Sequence, residues 1–228
     1  ILSLGATPVT VIAEEGGSYG DLLGDAYLRD DDGNIVISAS GIPVMSPEKK
    51  VLGNAMPKGM FGWSNTVTYK SFTLGFLIDL SYGGDIYMGS IQLGTASGTL
   101  ALTEANREGG LVVKGVNQND GTPNTVAITS QQYWQGISGI EEAFIYDATN
   151  ARFRELILNY GVPQTLLSRT PFKSVKAGIV ARNLFMIYSK TEGFDPEAGY
   201  SSASSALGME FNSMPTMRSI GFNVKLGF

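Results

Sequence analysis

The clearest pattern in the chain runs from Ser71 to Tyr82, where Phe72, Leu74, Phe76, Ile78, Leu80 and Tyr82 alternate with Ser71, Thr73, Gly75, Leu77, Asp79 and Ser81. Period-two alternation of this kind predicts a strand with one apolar and one mostly polar or small face. At about 12 residues it exceeds the usual five or six of a soluble sheet but suits a tilted strand crossing a bilayer. Met60 to Tyr69 carries Phe61, Trp63, Val67 and Tyr69 on one parity, and the short link Tyr69-Lys70-Ser71 makes the two segments a tight hairpin.

Three more strands are predicted. Ala151 to Tyr160 places Leu156, Leu158 and Tyr160 opposite Glu155 and Asn159, and stops at the breaker Gly161-Val162-Pro163. Lys173 to Tyr188 is a further strand, although its Leu184-Phe185-Met186-Ile187 run blurs the phase. The chain ends on the cleanest alternation: Ile220, Phe222, Val224, Leu226 and Phe228 against Ser219, Gly221, Asn223, Lys225 and Gly227. The pattern therefore predicts an all-β, transmembrane antiparallel barrel portion. Phe72, Leu74, Phe76, Ile78, Leu80, Phe222, Val224 and Leu226 are expected to face lipid, and the aromatic Phe228 at the end of this frame resembles a C-terminal outer-membrane insertion signal.

Connections alternate in length. Those at Tyr69–Ser71 and Gly161–Phe172 are short or moderate, whereas Gly83–Asp147 and Thr191–Thr216 are long, the asymmetry of short periplasmic turns and long extracellular loops. Residues 1–57 read as the end of a barrel strand followed by a large, partly ordered external loop, with eight acids between Glu14 and Glu48. Within it, Pro8 to Ile12 and Asn34 to Ser38 are short-strand candidates.

Composition narrows the chemistry. A net charge of −5 without a basic cluster argues against a nucleic-acid partner. The 228 residues contain no cysteine and no histidine, which removes disulfides, thiolate metal sites, and the commonest general base and metal ligand. No metal, cofactor or catalytic residue is expected. No apolar stretch approaches the ~18–20 residues of a membrane helix. The start at Ile1-Leu2-Ser3-Leu4, without a signal peptide, suggests a processed product or a fragment.

Several constellations invite sharper readings. Gly16-Gly17-Ser18-Tyr19-Gly20 fits the nucleophile-elbow pattern, but no histidine is present to activate Ser18, and a turn is favoured. Asp30-Asp31-Asp32-Gly33-Asn34 lacks EF-hand spacing and reads as an acidic turn. Glu141-Glu142 and Asp195 with Glu197 are better taken as solvated loop carboxylates than as a glycosidase pair. Tyr133 and Trp134 could stack on a ligand or pack the loop that carries them.

A series of motifs resembles the C-terminal end of SusC/RagA-family TonB-dependent outer-membrane transporters. In order they are Gly16-Gly17-Ser18-Tyr19-Gly20-Asp21 with Gly24, Leu52-Gly53-Asn54-Ala55-Met56-Pro57-Lys58, Thr68-Tyr69-Lys70-Ser71-Phe72, and Gly83-Gly84-Asp85-Ile86-Tyr87. Tyr146-Asp147-Ala148, Arg152-Phe153-Arg154-Glu155-Leu156, Ala181-Arg182-Asn183-Leu184-Phe185, Asp195-Pro196-Glu197-Ala198-Gly199-Tyr200 and Pro215 to Phe222 follow. Each motif is weak alone; their joint order is specific. The resemblance implies a barrel of about 22 strands, of which this chain supplies roughly the last five. It also implies import of oligosaccharides or peptides, energy through TonB, a SusD-like surface lipoprotein as lid on regions 5–57, 84–147 and 190–216, and a plug and earlier strands that complete the barrel. The alternative is a secreted β-sandwich that binds glycans and buries its apolar face against a second sheet.

Overall fold

The structure is a computed structural model that describes residues 8–191, 193–201 and 203–228. These residues form two compact units, each built from separated stretches of chain. One comprises the described residues of Pro57–Gly83, Ala148–Glu197 and Pro215–Phe228; the other comprises those of 8–56, Gly84–Asp147 and Ala198–Met214.

The first unit is an antiparallel sheet of five strands: β1 (Gly59–Tyr69), β2 (Phe72–Tyr82), β3 (Asn150–Gly161), β4 (Ser174–Ser189) and β5 (Ser219–Gly227). Their spatial order is β5-β4-β3-β2-β1, so each strand lies beside its sequence neighbour. The bounds lie within a residue or so of those the alternation predicts. Tyr69 pairs directly with Phe72, and Lys70 adopts a left-handed φ of 51° to close the two-residue turn. Among the described residues, the outer edges of β1 and β5 carry no partner strand.

Register sorts the connections by edge. Gly59 lies opposite Tyr82, and Asn150 lies opposite both Ser81 and Ser189, so the long segments before β1, between β2 and β3, and after β4 all join the sheet at one end. The Lys70 turn, the Val162–Lys173 link with its short helix Gln164–Leu167, and Phe228 lie at the other. An up-and-down sheet with all its long excursions on one side is thus present in the described chain.

The second unit departs from its loop-like appearance in the sequence. It has its own core, in which Leu22, Ile37, Tyr87, Met88, Ile137, Ile140 and Phe144 are fully or almost fully buried. Thr10–Ile12, Asp21–Gly24 and Lys50–Asn54 form a small sheet, and Asp85–Met88 lies between Ile145–Asp147 and Met209–Glu210 in another. The candidate strand at Asn34–Ser38 is reduced to Val36–Ile37, paired in parallel with Val116–Asn117. Two helices, α1 (Gly89–Ala96) and α2 (Ser130–Gly136), complete it. Helix α2 starts at a capping box in which Thr129 and Gln132 satisfy each other's backbone amides. The expected end of a preceding barrel strand falls before residue 5 and lies outside the described residues.

Candidate functional site

The five-stranded sheet has two chemically distinct faces, and cross-strand pairing shows which residues share each. Phe61, Trp63 and Val67 of β1 oppose Leu80, Ile78 and Leu74 of β2. Those in turn oppose Ala151, Phe153 and Leu158 of β3, and the row continues through Ile179 of β4 to Phe222 of β5. Ring contacts knit this face: Trp63 meets Phe76 edge-on at 5.2 Å, Phe72 meets Tyr160 at 4.8 Å, and Phe153 stacks on Phe185 at 5.4 Å.

These side chains touch along the sheet but remain open above it. Phe222 is 83% exposed, Ile220 65%, Val224 64% and Trp63 60%, an apolar surface far beyond the isolated exposed residues of an ordinary soluble domain. Among the described residues nothing covers it as the facing sheet of a β-sandwich would. Asn65, opposite Phe76, is the polar exception on this face.

The other face is polar and carries an ion-pair cluster near the end from which the long connections leave. Pairing between β3 and its neighbours slips between Phe153 and Glu155, so Arg154 is the extra residue of a bulge; Asn183 on β4 takes a left-handed φ of 51° at the same level. The bulge re-aims Arg154. Its guanidinium donates to Asp79 at 2.8 Å, to Asn183 Oδ1 at 3.1 Å and, through two nitrogens, to Glu197 at 2.7 and 3.0 Å.

Arg152 lies deeper, its side chain 5% exposed, and donates to Asp195 at 2.6 Å. Its Nε lies 3.2 Å from Glu197 Oε2, close enough for charge attraction but without hydrogen-bond alignment. Burial pushes the Asp195 carboxyl up, but amides from Glu197 and Thr216 and the Arg152 guanidinium outweigh it and hold the group below the usual carboxylate range. Asp195 and Glu197 are therefore consumed in tying down the chain after β4. They are not a free carboxylate pair for glycoside chemistry.

The remaining sequence candidates resolve into structural roles. Ser18 sits in a turn closed by its own amide on Asp21, with Gly20 at a φ of 89°. Asp30 accepts from the amides of Asp32 and Asn34, forming an acidic turn with Gly33 left-handed. Glu141 and Glu142 receive the amides of Asp25 and Tyr27 at 2.7 and 2.8 Å, and Glu142 also binds Arg29. Burial, reinforced by the nearby Asp25 carboxylate, pushes Glu141 up to about 7. Among the described residues no group of acids could hold a metal ion.

Sequence reasoning missed that several motifs meet in space. Asp21 pairs with Asn54 and Leu22 with Gly53, so the Gly16–Gly24 and Leu52–Lys58 motifs are neighbouring strands. Asp85 of the fourth motif accepts the Asn54 amide at 2.9 Å, and a Cβ on Gly53 would lie 2.5–2.9 Å from the Asp85 side chain. Asp85 and Ile86 also pair with Asp147 and Tyr146 of the fifth motif. Only a glycine at position 53 lets these segments close. The Tyr133 and Trp134 rings meet at 5.0 Å, and burial pushes the pKa of the Tyr133 hydroxyl up. Trp134 instead lines a cavity of about 430 Å³.

A long-stranded antiparallel sheet with an open apolar face, a polar face and one-sided excursions defines a segment of a transmembrane-type β-barrel. Comparison with known proteins agrees. The chain is 24% identical over 210 residues to TonB-dependent receptor P3 of Formosa agariphila, covering 89% of this chain and 19% of that protein. It is 27% identical over 180 residues to TonB-dependent receptor P39 of the same organism, covering 77% and 16%. The chain spans less than a fifth of the length of these receptors.

Among solved structures, the RagAB peptide importer in its open-open state aligns with a TM-score of 0.59 at 17% identity, covering all of this chain and 24% of that one. The RagAB peptide transporter aligns at 0.54 and 16%, covering 92% and 23%. No family model matches. The fold is that of an all-β barrel portion, and the chain is similar to the C-terminal part of SusC/RagA-like TonB-dependent transporters. The two proteins it matches by sequence are named as TonB-dependent receptors, and the solved structures as a peptide transporter.

Proposed function

We propose that the chain is the C-terminal barrel portion of a SusC-like importer in the bacterial outer membrane, where it carries oligosaccharides or peptides inward using energy relayed through TonB. The observation that carries this reading is the exposed apolar face of β1–β5. Phe72, Leu74, Phe76, Ile78, Leu80, Phe222, Val224 and Leu226 contact lipid, and the polar face with Arg152 and Arg154 looks into the lumen. Hydrocarbon does not tolerate the open edges of β1 and β5, so earlier strands of the same barrel pair with both. Phe228, packed on Phe172 at 5.2 Å, marks the membrane-insertion end.

Residues 5–57, 84–147 and 190–216 are extracellular and present the seat for a SusD-like lipoprotein; residues 5–7, 192 and 202 of these lie outside the described residues. Detergent partition of the full-length native protein tests the reading. Recovery in the detergent phase is expected, and recovery in the aqueous phase would restore the secreted sandwich.

A further inference from the structure

The cavity lined by Trp134 contains a cation whose geometry is set without an acidic partner. Arg107 donates from Nε to the Thr103 carbonyl at 3.1 Å, and from Nη2 to the Gly98 carbonyl at 2.7 Å and the Thr103 hydroxyl at 2.8 Å. Three uncharged acceptors thus fix the guanidinium plane, and Nη1 is left without a partner among the described residues. Neither Glu104 nor Glu108, its sequence neighbours, forms an ion pair with it, unlike Arg29, Arg152, Arg154 and Arg182, each of which meets a carboxylate.

Arginine held in this way is preorganised for an incoming anion, because its planar fork matches a carboxylate and little side-chain entropy remains to be lost. The rest of the lining suits the body of such a ligand, since it combines the aromatic residue Trp134 with the polar residues Gln131, Gln135 and Ser97. At about 430 Å³ it takes a unit of one or two sugar rings or amino acids.

We propose that this cavity binds a small carboxylate-bearing end group of the imported cargo, the carboxylate on Arg107 and the ring or backbone against Trp134. A peptide C-terminus and a hexuronate share this chemistry. The assignment of the ligand as cargo rests on the import reading; the existence of the site does not.

Isothermal titration of the full-length protein in detergent tests it with four probes: a short peptide with a free C-terminus, the same peptide amidated, a hexuronate-ended disaccharide and its neutral counterpart. One acid probe is expected to bind, to lose at least tenfold in affinity on neutralisation, and to lose as much in Arg107→Met; which acid binds identifies the source. Binding of neither acid, equal binding of acid and neutral forms, or unchanged affinity in Arg107→Met would overturn the proposal. Should Arg107→Met fail to fold, Trp134→Leu decides, since it leaves the Arg107 hydrogen bonds in place: a fall of about fivefold or more is expected, and no change overturns the site. A blank titration of protein that still requires detergent removes the site alone, whereas protein that partitions into water removes the import reading.

Discussion

A charge placed on the apolar face of β2 should cost more stability the deeper it lies in the membrane. The 11 residues of β2, at a rise of about 3.3 Å each and a tilt of about 40°, span about 25 Å of height, which matches the apolar band of an outer-membrane barrel. Phe76 then lies near the midplane and Phe72 near one interface. Phe76→Arg should cost about 2–4 kcal/mol in bilayer-refolded full-length protein, and Phe72→Arg only about 0–1.

Each substitution also deletes ring contacts, Phe76 with Trp63 and Phe153, and Phe72 with Tyr160, so each Arg variant is compared with the Ala variant at the same position. Thr66→Arg, on the opposite face of β1, is expected to stay within about 1 kcal/mol of the parent. Reversible urea unfolding in vesicles of defined lipid measures all five. Equal costs for Phe72→Arg and Phe76→Arg after subtraction, or a Thr66→Arg cost as large as that of Phe76→Arg, would refute the assignment of faces.

Other outcomes follow from the polar face and the second unit. Arg152→Met strands the buried Asp195 and should loosen the chain after β4 by about 3–5 kcal/mol, read as faster hydrogen exchange at residues 193–197 and 216 with β1 and β2 unaffected. Gly53→Ala must displace Asp85 from the Asn54 amide and should destabilise the second unit by about 1–3 kcal/mol; a melting temperature equal to that of the parent would contradict the close approach. Glu141 holds its proton more tightly folded than unfolded, so its contribution to stability is full below its ordinary pKa of 4.5 and is lost as pH rises through about 7. Glu141→Gln keeps an acceptor for the Asp25 amide but cannot ionise. It should flatten the pH dependence across that window, and an unchanged profile would show that Glu141 is not the titrating group.

The legibility of the sequence varied with periodicity. Strands β2 and β5 alternate without interruption, and both were placed to within a residue because a period of two admits one face assignment. In β4 the Leu184–Ile187 run lost the phase for a reason visible in the pairing: register slips at Ala151/Arg152 and Phe153/Glu155 insert extra residues, and Asn183 turns left-handed. Bulges leave no sign in a simple alternation.

The second unit looks like loop in the sequence because its strands are two to five residues long, too short for any period to show. Its fold depends on distant partners, such as Gly53 with Asp85 and Glu141 with Asp25, and the glycine motifs marked those places without revealing which motif meets which. A lone arginine in a polar loop carries no signal until its three uncharged acceptors are seen.

A spin-label scan of β5 in the full-length protein reconstituted into bilayers, one position at a time from Ser219 to Gly227, tests whether this sheet lies in the membrane. Oxygen accessibility should peak at 220, 222, 224 and 226, with accessibility to a polar nickel complex peaking at the positions between them. Two profiles in phase, or a flat oxygen profile across the strand, would contradict the placement of this sheet in the membrane.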